Sequence, residues 1–176
     1  MDIRIFRAIN TGWHSAFLDA VFTFFSYTGL GAFVTIVALA LLIKKETRIY
    51  AFSIGLSAFM GGTVIAQTFK SMIPRDRPSM QTYAIVQEKI YHSSFPSGHT
   101  ATAFAMATAI AILAARQKNW TIVSLAFIWA LGVGISRIYR GVHWPSDVVG
   151  GALGGVLGGC LTMLIIDAIV RRKPAA

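Results

Sequence analysis

Residues 143–170 read HWPSDVVGGALGGVLGGCLTMLIIDAIV, and this stretch decides the fold class of the chain. From Val148 to Val170 it is apolar apart from Asp167, and about 20 apolar residues suffice for a helix to cross a bilayer. Its glycines form two ridges of small-xxx-small spacing, which are Gly150, Gly154, Gly158 and Gly151, Gly155, Gly159. Such ridges let helices approach closely, so we predict packing inside a bundle, with a homodimer contact as the alternative.

Four more apolar stretches precede this one: Ala16–Ile43, Ile49–Phe69, Gly98–Ala115 and Trp120–Ile135. The first is ambiguous, because the break Thr28-Gly29-Leu30-Gly31 permits either one tilted helix or two helices. Residues 2–11 alternate apolar and charged side chains at helical spacing, as helices in a membrane interface do. The sequence therefore predicts an all-α, polytopic membrane helix bundle of five to six helices.

The composition agrees with a membrane protein. The chain has 176 residues, which suits a single domain over residues 1–176. It is 55% hydrophobic and only 13% charged, whereas a soluble domain carries about a quarter charged residues. The net charge of +9 comes mostly from short clusters between apolar stretches. The sequence has no basic stripe with interleaved aromatic residues, so it does not predict nucleic-acid binding. Cys160 is the only cysteine, so the chain has no intramolecular disulfide.

Three basic clusters predict the orientation in the membrane. They are Lys44, Lys45 and Arg48; Arg116 and Lys118; and Arg171, Arg172 and Lys173. Alternating crossings place all three on one side, which the positive-inside rule identifies as cytoplasmic. The segments Lys70–Pro96 and Ser136–Asp147 then share the opposite side. We therefore expect a multi-pass protein of the inner (cytoplasmic) membrane whose polar chemistry faces the periplasm or the cell exterior.

Several groups on that opposite side favour an anionic ligand. Lys70, Arg77 and Arg137 supply three cations, and an arginine guanidinium matches phosphate oxygens bidentately. Ser97 and Gly98 stand where the third apolar stretch begins, so backbone N–H groups and the positive helix end can bind an anion there. A multiply charged oxyanion suits all of these groups, and phosphate is the natural candidate.

Two histidines could supply the reactive groups. His143 and Asp147 are four residues apart, and Pro145 between them indicates the start of a helix. A carboxylate that reaches the imidazole fixes its tautomer and stabilises the imidazolium, which leaves the other ring nitrogen free to attack phosphorus. His99 is then available as the general acid for the leaving alkoxide.

These residues together resemble a known motif. Lys70-x6-Arg77-Pro78, Pro96-Ser97-Gly98-His99 and Ser136-Arg137-x5-His143-x3-Asp147 are similar to the three-part motif of the type 2 phosphatidic acid phosphatase family. The resemblance implies a six-helix membrane phosphatase with a phosphohistidine on His143, supported by Asp147, and with His99 as acid and then base. It also implies that Lys70, Arg77, Ser97, Gly98 and Arg137 hold the phosphate oxygens. The choice of His143 over His99 as nucleophile depends partly on this resemblance.

We expect no cofactor and no metal, because three adjacent cations would repel a metal ion from the histidines and Asp147. The expected partners are the bilayer and a membrane lipid phosphate, while the oligomeric state stays open. Among substrates, undecaprenyl pyrophosphate is favoured over phosphatidylglycerol phosphate and the lipid A phosphates. A lipid phosphotransferase that uses the same phosphohistidine and a non-catalytic protein that binds lipid phosphates are the alternatives. A protein that only binds lipid phosphates would not need the pair His143 and Asp147.

Overall fold

The computed structural model describes residues 1–90 and 92–171, and these residues form an all-α structure. Short 3₁₀ turns occupy Lys45–Thr47 and Pro78–Met80, and a π-helical segment, Phe59–Ile65, joins α4 to α5. The helices are α1 (Asp2–Asn10), α2 (Ala16–Thr28), α3 (Gly31–Leu42), α4 (Arg48–Ala58), α5 (Ala66–Met72), α6 (Gly98–Arg116), α7 (Trp120–Tyr139) and α8 (Pro145–Arg171). The predicted helix bundle is confirmed.

Within the described residues, four helical stretches are long and apolar enough to cross a membrane, and α2 with α3 can form a fifth. The four are Lys45–Met72, Gly98–Arg116, Trp120–Tyr139 and Pro145–Arg171. The predicted number of six helices is reached when α2 and α3 are counted separately and Lys45–Met72, which contains α4 and α5, is counted as one helix. The helix α1 is additional. The protein is therefore a multi-pass membrane protein.

The first apolar stretch forms two helices, α2 and α3, which are bent by 60° relative to each other. The helix α2 runs along α7, since the Ser15 amide donates to the Tyr139 hydroxyl and the Trp129 indole donates to Thr28. At the bend, Gly29 packs so closely on α7 that a Cβ there would lie 2.5 Å from the Val133 side chain. The two-helix alternative is correct, and its cause is the close packing of the break against α7.

The helix α6 forms the centre of the bundle, where 13 of its 19 residues are buried. One glycine ridge of α8 lies directly on it. A Cβ on Gly151, Gly155 or Gly159 would come within 2.8 Å of the backbone oxygen of Ser97, Ala101 or Ala105 respectively. The other ridge faces Phe95, Ile65 and Gly61. Both ridges thus pack inside the bundle, as the sequence predicted.

Four helix ends meet at one end of the bundle, namely the end of α5, the start of α6, the end of α7 and the start of α8. The Ser97 amide before α6 donates to the Asp147 carbonyl in α8 at 3.0 Å, and Lys70 near the end of α5 donates to the Ser93 carbonyl. The helix α1 covers this end, because Phe6 is fully buried and packs against Trp144. The basic clusters at residues 44–48 and 116–118, together with Arg171, lie at the other end; Arg172 and Lys173 lie outside the described residues.

Candidate active site

His143 lies in the short connection between α7 and α8 and is only 2% exposed. Its Nδ1 atom lies 3.5 Å from the Asp147 carboxylate, and its Nε2 atom lies 3.2 Å from Nη1 of Arg77. A guanidinium can only donate, so Nε2 carries the lone pair and Nδ1 carries the proton. Burial lowers the pKa of the His143 imidazole to about 3, with Arg137 and Arg77 acting in the same direction and Asp147 opposing them. The ring is therefore neutral at pH 7 and has the tautomer that a nucleophile acting through Nε2 needs.

Asp147 has no exposed surface, and its carboxylate is held from three sides. One oxygen accepts from the Ser94 hydroxyl and from the Trp144 amide, and the other accepts from Arg75 at 2.6 Å. Pro145 starts α8 one residue after Trp144, which places the carboxylate in the first turn of the helix and next to His143. This arrangement fixes the carboxylate against the proton-bearing side of the imidazole.

Arg77 and Lys70 are held by backbone carbonyl groups. Arg77 donates to the carbonyls of His92, Val142 and Ser93, and Lys70 donates to the same Ser93 carbonyl at 2.9 Å. Burial, together with the neighbouring Arg137, lowers the pKa of Arg77 to about 10, which leaves the guanidinium charged at neutral pH. Over residues 1–90 and 92–171, neither cation forms an ion pair with a carboxylate. Their charge is therefore available to an anionic ligand.

Arg137 is completely buried near the end of α7. Its Nη1 donates to the Ser26 hydroxyl and lies 3.0 Å from the Glu88 carboxylate, while its Nε and Nη2 atoms have no partner among the described residues. A guanidinium that is buried with free N–H groups is costly unless a ligand accepts from it. These free N–H groups are able to donate to an oxyanion.

The start of α6 completes the candidate anion site. The Ser97 hydroxyl caps the helix by accepting from Thr100, and its amide donates to the Asp147 carbonyl. Gly98 and His99 are the first two residues of α6, so their N–H groups have no carbonyl one turn earlier in the helix. A Cβ on Gly98 would meet no atom within 4 Å. An anion would consequently meet the amides of Gly98 and His99, while Ser97 holds the helix start in place.

The structure thus gathers all of the predicted site residues at one end of the bundle. The buried and half-buried charges there are the cations Lys70, Arg75, Arg77, Arg137 and Arg140 and the carboxylates of Asp2, Asp19, Glu88 and Asp147. The cations outnumber the carboxylates, so this end of the bundle favours an anionic ligand. Among the described residues no group of three His, Cys, Asp or Glu side chains is placed to hold a metal ion.

Sequence reasoning missed several residues around the site. Arg75 has no place in the three-part motif, yet it bridges Asp147 and Asp2 at 2.6 and 2.8 Å. Ser94 and Glu88 carried no signal, because their partners are remote in sequence. Asp2 is the most distant of them, and it also accepts from the Ser146 amide and hydroxyl.

Two hollows adjoin the site. A cavity of about 810 Å³ opens among the residues of the loop after α5 and is lined by Arg75, Arg77, Lys89 and His92. An apolar groove of about 270 Å³ lies between α5 and α8. Ile65, Phe69, Phe95, Leu153 and Leu157 line this groove, and Pro96 closes it beside Ser97. An apolar groove therefore begins beside the start of α6, next to the charged site.

Comparisons with known proteins agree with this geometry. The sequence profile of the PAP2 superfamily matches residues 46–171. The chain is 35% identical to YbjG of Escherichia coli (strain K12) over 58% of its own length, and the match spans only half of YbjG. It is 32% identical to the undecaprenyl-diphosphatase of Sulfolobus acidocaldarius, over 94% of this chain and 77% of that protein.

A solved structure shows the same fold. The crystal structure of Aquifex aeolicus LpxE superimposes with a TM-score of 0.80 at 30% sequence identity, and covers 92% of this chain and 94% of that one. The superfamily profile covers most of the chain, including every predicted site residue from Lys70 to Asp147. The chain belongs to the PAP2 superfamily.

Proposed function

We propose that this protein is a membrane lipid phosphatase that hydrolyses a phosphate monoester or pyrophosphate through a phosphohistidine on His143. The observation that carries this proposal is the state of His143, which is neutral, has its Nδ1 atom 3.5 Å from the Asp147 carboxylate, and has its Nε2 lone pair facing the guanidinium of Arg77. A protein that only binds phosphate would need the cations but not an oriented imidazole.

The proposed reaction has two steps. In the first, the Nε2 lone pair of His143 attacks phosphorus, the P–O bond to the lipid breaks, and His99 protonates the leaving oxygen. Asp147 stabilises the imidazolium that forms. In the second step, His99 takes a proton from water as the water attacks phosphorus, and the N–P bond breaks with its electrons returning to Nε2. Arg77 must exchange its contact with Nε2 for a phosphate oxygen before the first step.

The phosphate would be held without a metal ion in this proposal. Lys70, Arg77 and Arg137 would neutralise its oxygens, together with the amides at the start of α6. Ser97 contributes by capping that helix, and Gly98 contributes because it has no side chain that would cover the first amides of the helix. The excess positive charge of the cluster would oppose a divalent metal ion beside His143.

The apolar groove between α5 and α8 supports a lipid as the substrate. It begins next to Ser97 and runs along α8 from Gly150 to Leu157, a distance of about 10 Å at the rise of an α-helix. A hydrocarbon chain attached to a phosphate in the site would lie along this groove and in the bilayer. We favour undecaprenyl pyrophosphate, in line with the name of the Sulfolobus acidocaldarius relative. Phosphatidylglycerol phosphate and the lipid A phosphates are the competing substrates.

We also propose that the site faces the periplasm or cell exterior of an inner (cytoplasmic) membrane. The support is the placement of the basic clusters at the opposite end of the bundle. A lipid phosphotransferase remains the second candidate function, because a lipid hydroxyl could replace water in the second step.

Phosphate release by the purified protein across a panel of lipid phosphates in detergent tests the proposal. We expect release of inorganic phosphate from at least one lipid, with no release by His143→Ala. A phosphorylated second lipid in place of inorganic phosphate would identify the phosphotransferase. Binding of lipid phosphates without any turnover would contradict both enzymatic functions.

A further inference from the structure

A carboxylate already stands within the proposed phosphate site. Glu88, in the loop between α5 and α6, lies 3.0 Å from Nη1 of Arg137 and 3.5 Å from Nε of Arg140. Its side chain is 29% exposed, whereas that of Arg137 is fully buried. The only carboxylate on Arg137, within the ranges that the structure covers, thus comes from a half-exposed loop residue.

Glu88 and a phosphate would contact different edges of the Arg137 guanidinium, but their negative charges would lie close together. Its unpartnered Nε and Nη2 atoms form the edge of the guanidinium that binds an oxyanion bidentately. A phosphate at that edge would bring its negative charge close to the Glu88 carboxylate, and two like charges in a partly buried site repel each other strongly. Although burial alone would raise the pKa of Glu88, the positive charges of Arg137 and Arg140 hold it below its usual value. Without a ligand, Glu88 is therefore a carboxylate at neutral pH.

The geometry allows the Glu88 side chain to leave while its backbone stays. The backbone of Ile85 forms two hydrogen bonds with the Asn10 side chain, and the Gln87 amide donates to the Arg140 carbonyl at 3.2 Å. The Gln87 side chain is held as well, by Asp19 at 2.7 Å. Because the chain is fixed on the N-terminal side of Glu88, rotation of this half-exposed side chain toward solvent is the simplest movement that frees Arg137.

We propose that Glu88 is an internal anion that competes with the phosphoryl group for Arg137, and so sets how tightly the site binds phosphate. This inference rests on the proposed function, because it takes Arg137 as a phosphate ligand. Glu88 would balance the buried guanidinium between turnovers and would favour the departure of inorganic phosphate. It would act on affinity and product release rather than on the bonds that form and break.

The test compares Glu88→Gln with the wild-type protein in detergent, with inorganic phosphate as the probe. The substitution keeps the size of the side chain and removes its charge. We expect the dissociation constant for phosphate, measured by its concentration-dependent rise in Tm, to fall by about fivefold or more. The inhibition constant of phosphate against hydrolysis should fall by the same factor. Glu88→Ala should change both constants in the same direction.

The matched control is Glu46→Gln, an exposed glutamate at the opposite end of the bundle, which should leave phosphate binding unchanged. If Glu88 merely positions Arg137, its removal would weaken phosphate binding, and that opposite sign would overturn the inference. Unchanged binding in Glu88→Gln and Glu88→Ala would overturn it too, while leaving the proposed function intact. A wild-type protein that hydrolyses lipid phosphates but binds no inorganic phosphate would overturn this inference alone, whereas one that neither binds phosphate nor hydrolyses any lipid phosphate would overturn both proposals.

Discussion

Replacement of Asp147 by asparagine tests the central contact of the proposed mechanism. The substitution keeps the shape of the side chain but removes the charge that stabilises the His143 imidazolium. The carboxylate lies 3.5 Å from Nδ1, and Coulomb's law at an effective dielectric constant near 20 gives about 5 kcal/mol for two unit charges at that distance. The dipole of the amide would recover part of this energy. A loss of roughly 3–5 kcal/mol corresponds to a rate reduction of about 150-fold to about 5,000-fold.

The assay is single-turnover formation of acid-labile phosphoenzyme from an activated aryl phosphate. The matched control is Asp167→Asn on the same helix, which removes a carboxylate paired with Arg116 at the other end of the bundle. That control should leave the rate unchanged. Asp147→Asn also leaves Arg75 without one of its partners, so a rise in Tm with orthovanadate should confirm that the variant is folded and binds oxyanions. A folded Asp147→Asn protein within tenfold of the wild-type rate would refute this assignment of Asp147.

Three more outcomes follow from the same geometry. Hydrolysis should survive EDTA and be inhibited by orthovanadate, because cations hold the phosphate; full loss with EDTA that zinc or magnesium restores would contradict metal independence. His143→Ala should form no phosphoenzyme from p-nitrophenyl phosphate, whereas His99→Ala should still form it, since p-nitrophenolate departs without protonation; the reverse pattern would exchange their roles. With Cys160 replaced by serine, a cysteine at the exposed position Lys89 should react with an impermeant thiol reagent on intact cells, after permeabilisation of any outer membrane. A cysteine at Lys45 should react only after lysis, and the opposite labelling would invert the proposed orientation.

The sequence predicted the bundle because a bilayer imposes local rules. Long apolar stretches such as Val148–Val170 must be helical to satisfy their backbone groups, and this requirement can be read from composition alone. The bend between α2 and α3 was left undecided. Its cause is the contact of Gly29 with Val133, which lies more than a hundred residues away in the chain. A glycine in the sequence shows where a bend is permitted, but the neighbouring helix determines that it occurs.

In the candidate site too, contacts between residues near in sequence could be predicted, and contacts between remote residues could not. His143 and Asp147 could be placed together because one helix start holds both of them. The partners of Asp147 could not be predicted, because Arg75 and Ser94 belong to a loop without a repeating pattern. Glu88 was missed for the same reason, since nothing near it in sequence indicates that Arg137 is its partner.

Residues before the superfamily match also belong to the site. The match begins at residue 46, yet Ser26 of α2 accepts from the buried Arg137, and Asp2 of α1 accepts from Arg75 and Ser146. Arg75 also donates a hydrogen bond to the carboxylate of Asp147. The helix α1 is therefore more than an interfacial anchor, because it fixes an arginine that in turn fixes the partner of the proposed nucleophile. The proposed reaction without a metal ion depends on such positioning, since the charges that stabilise its transition state must be in place when the substrate arrives.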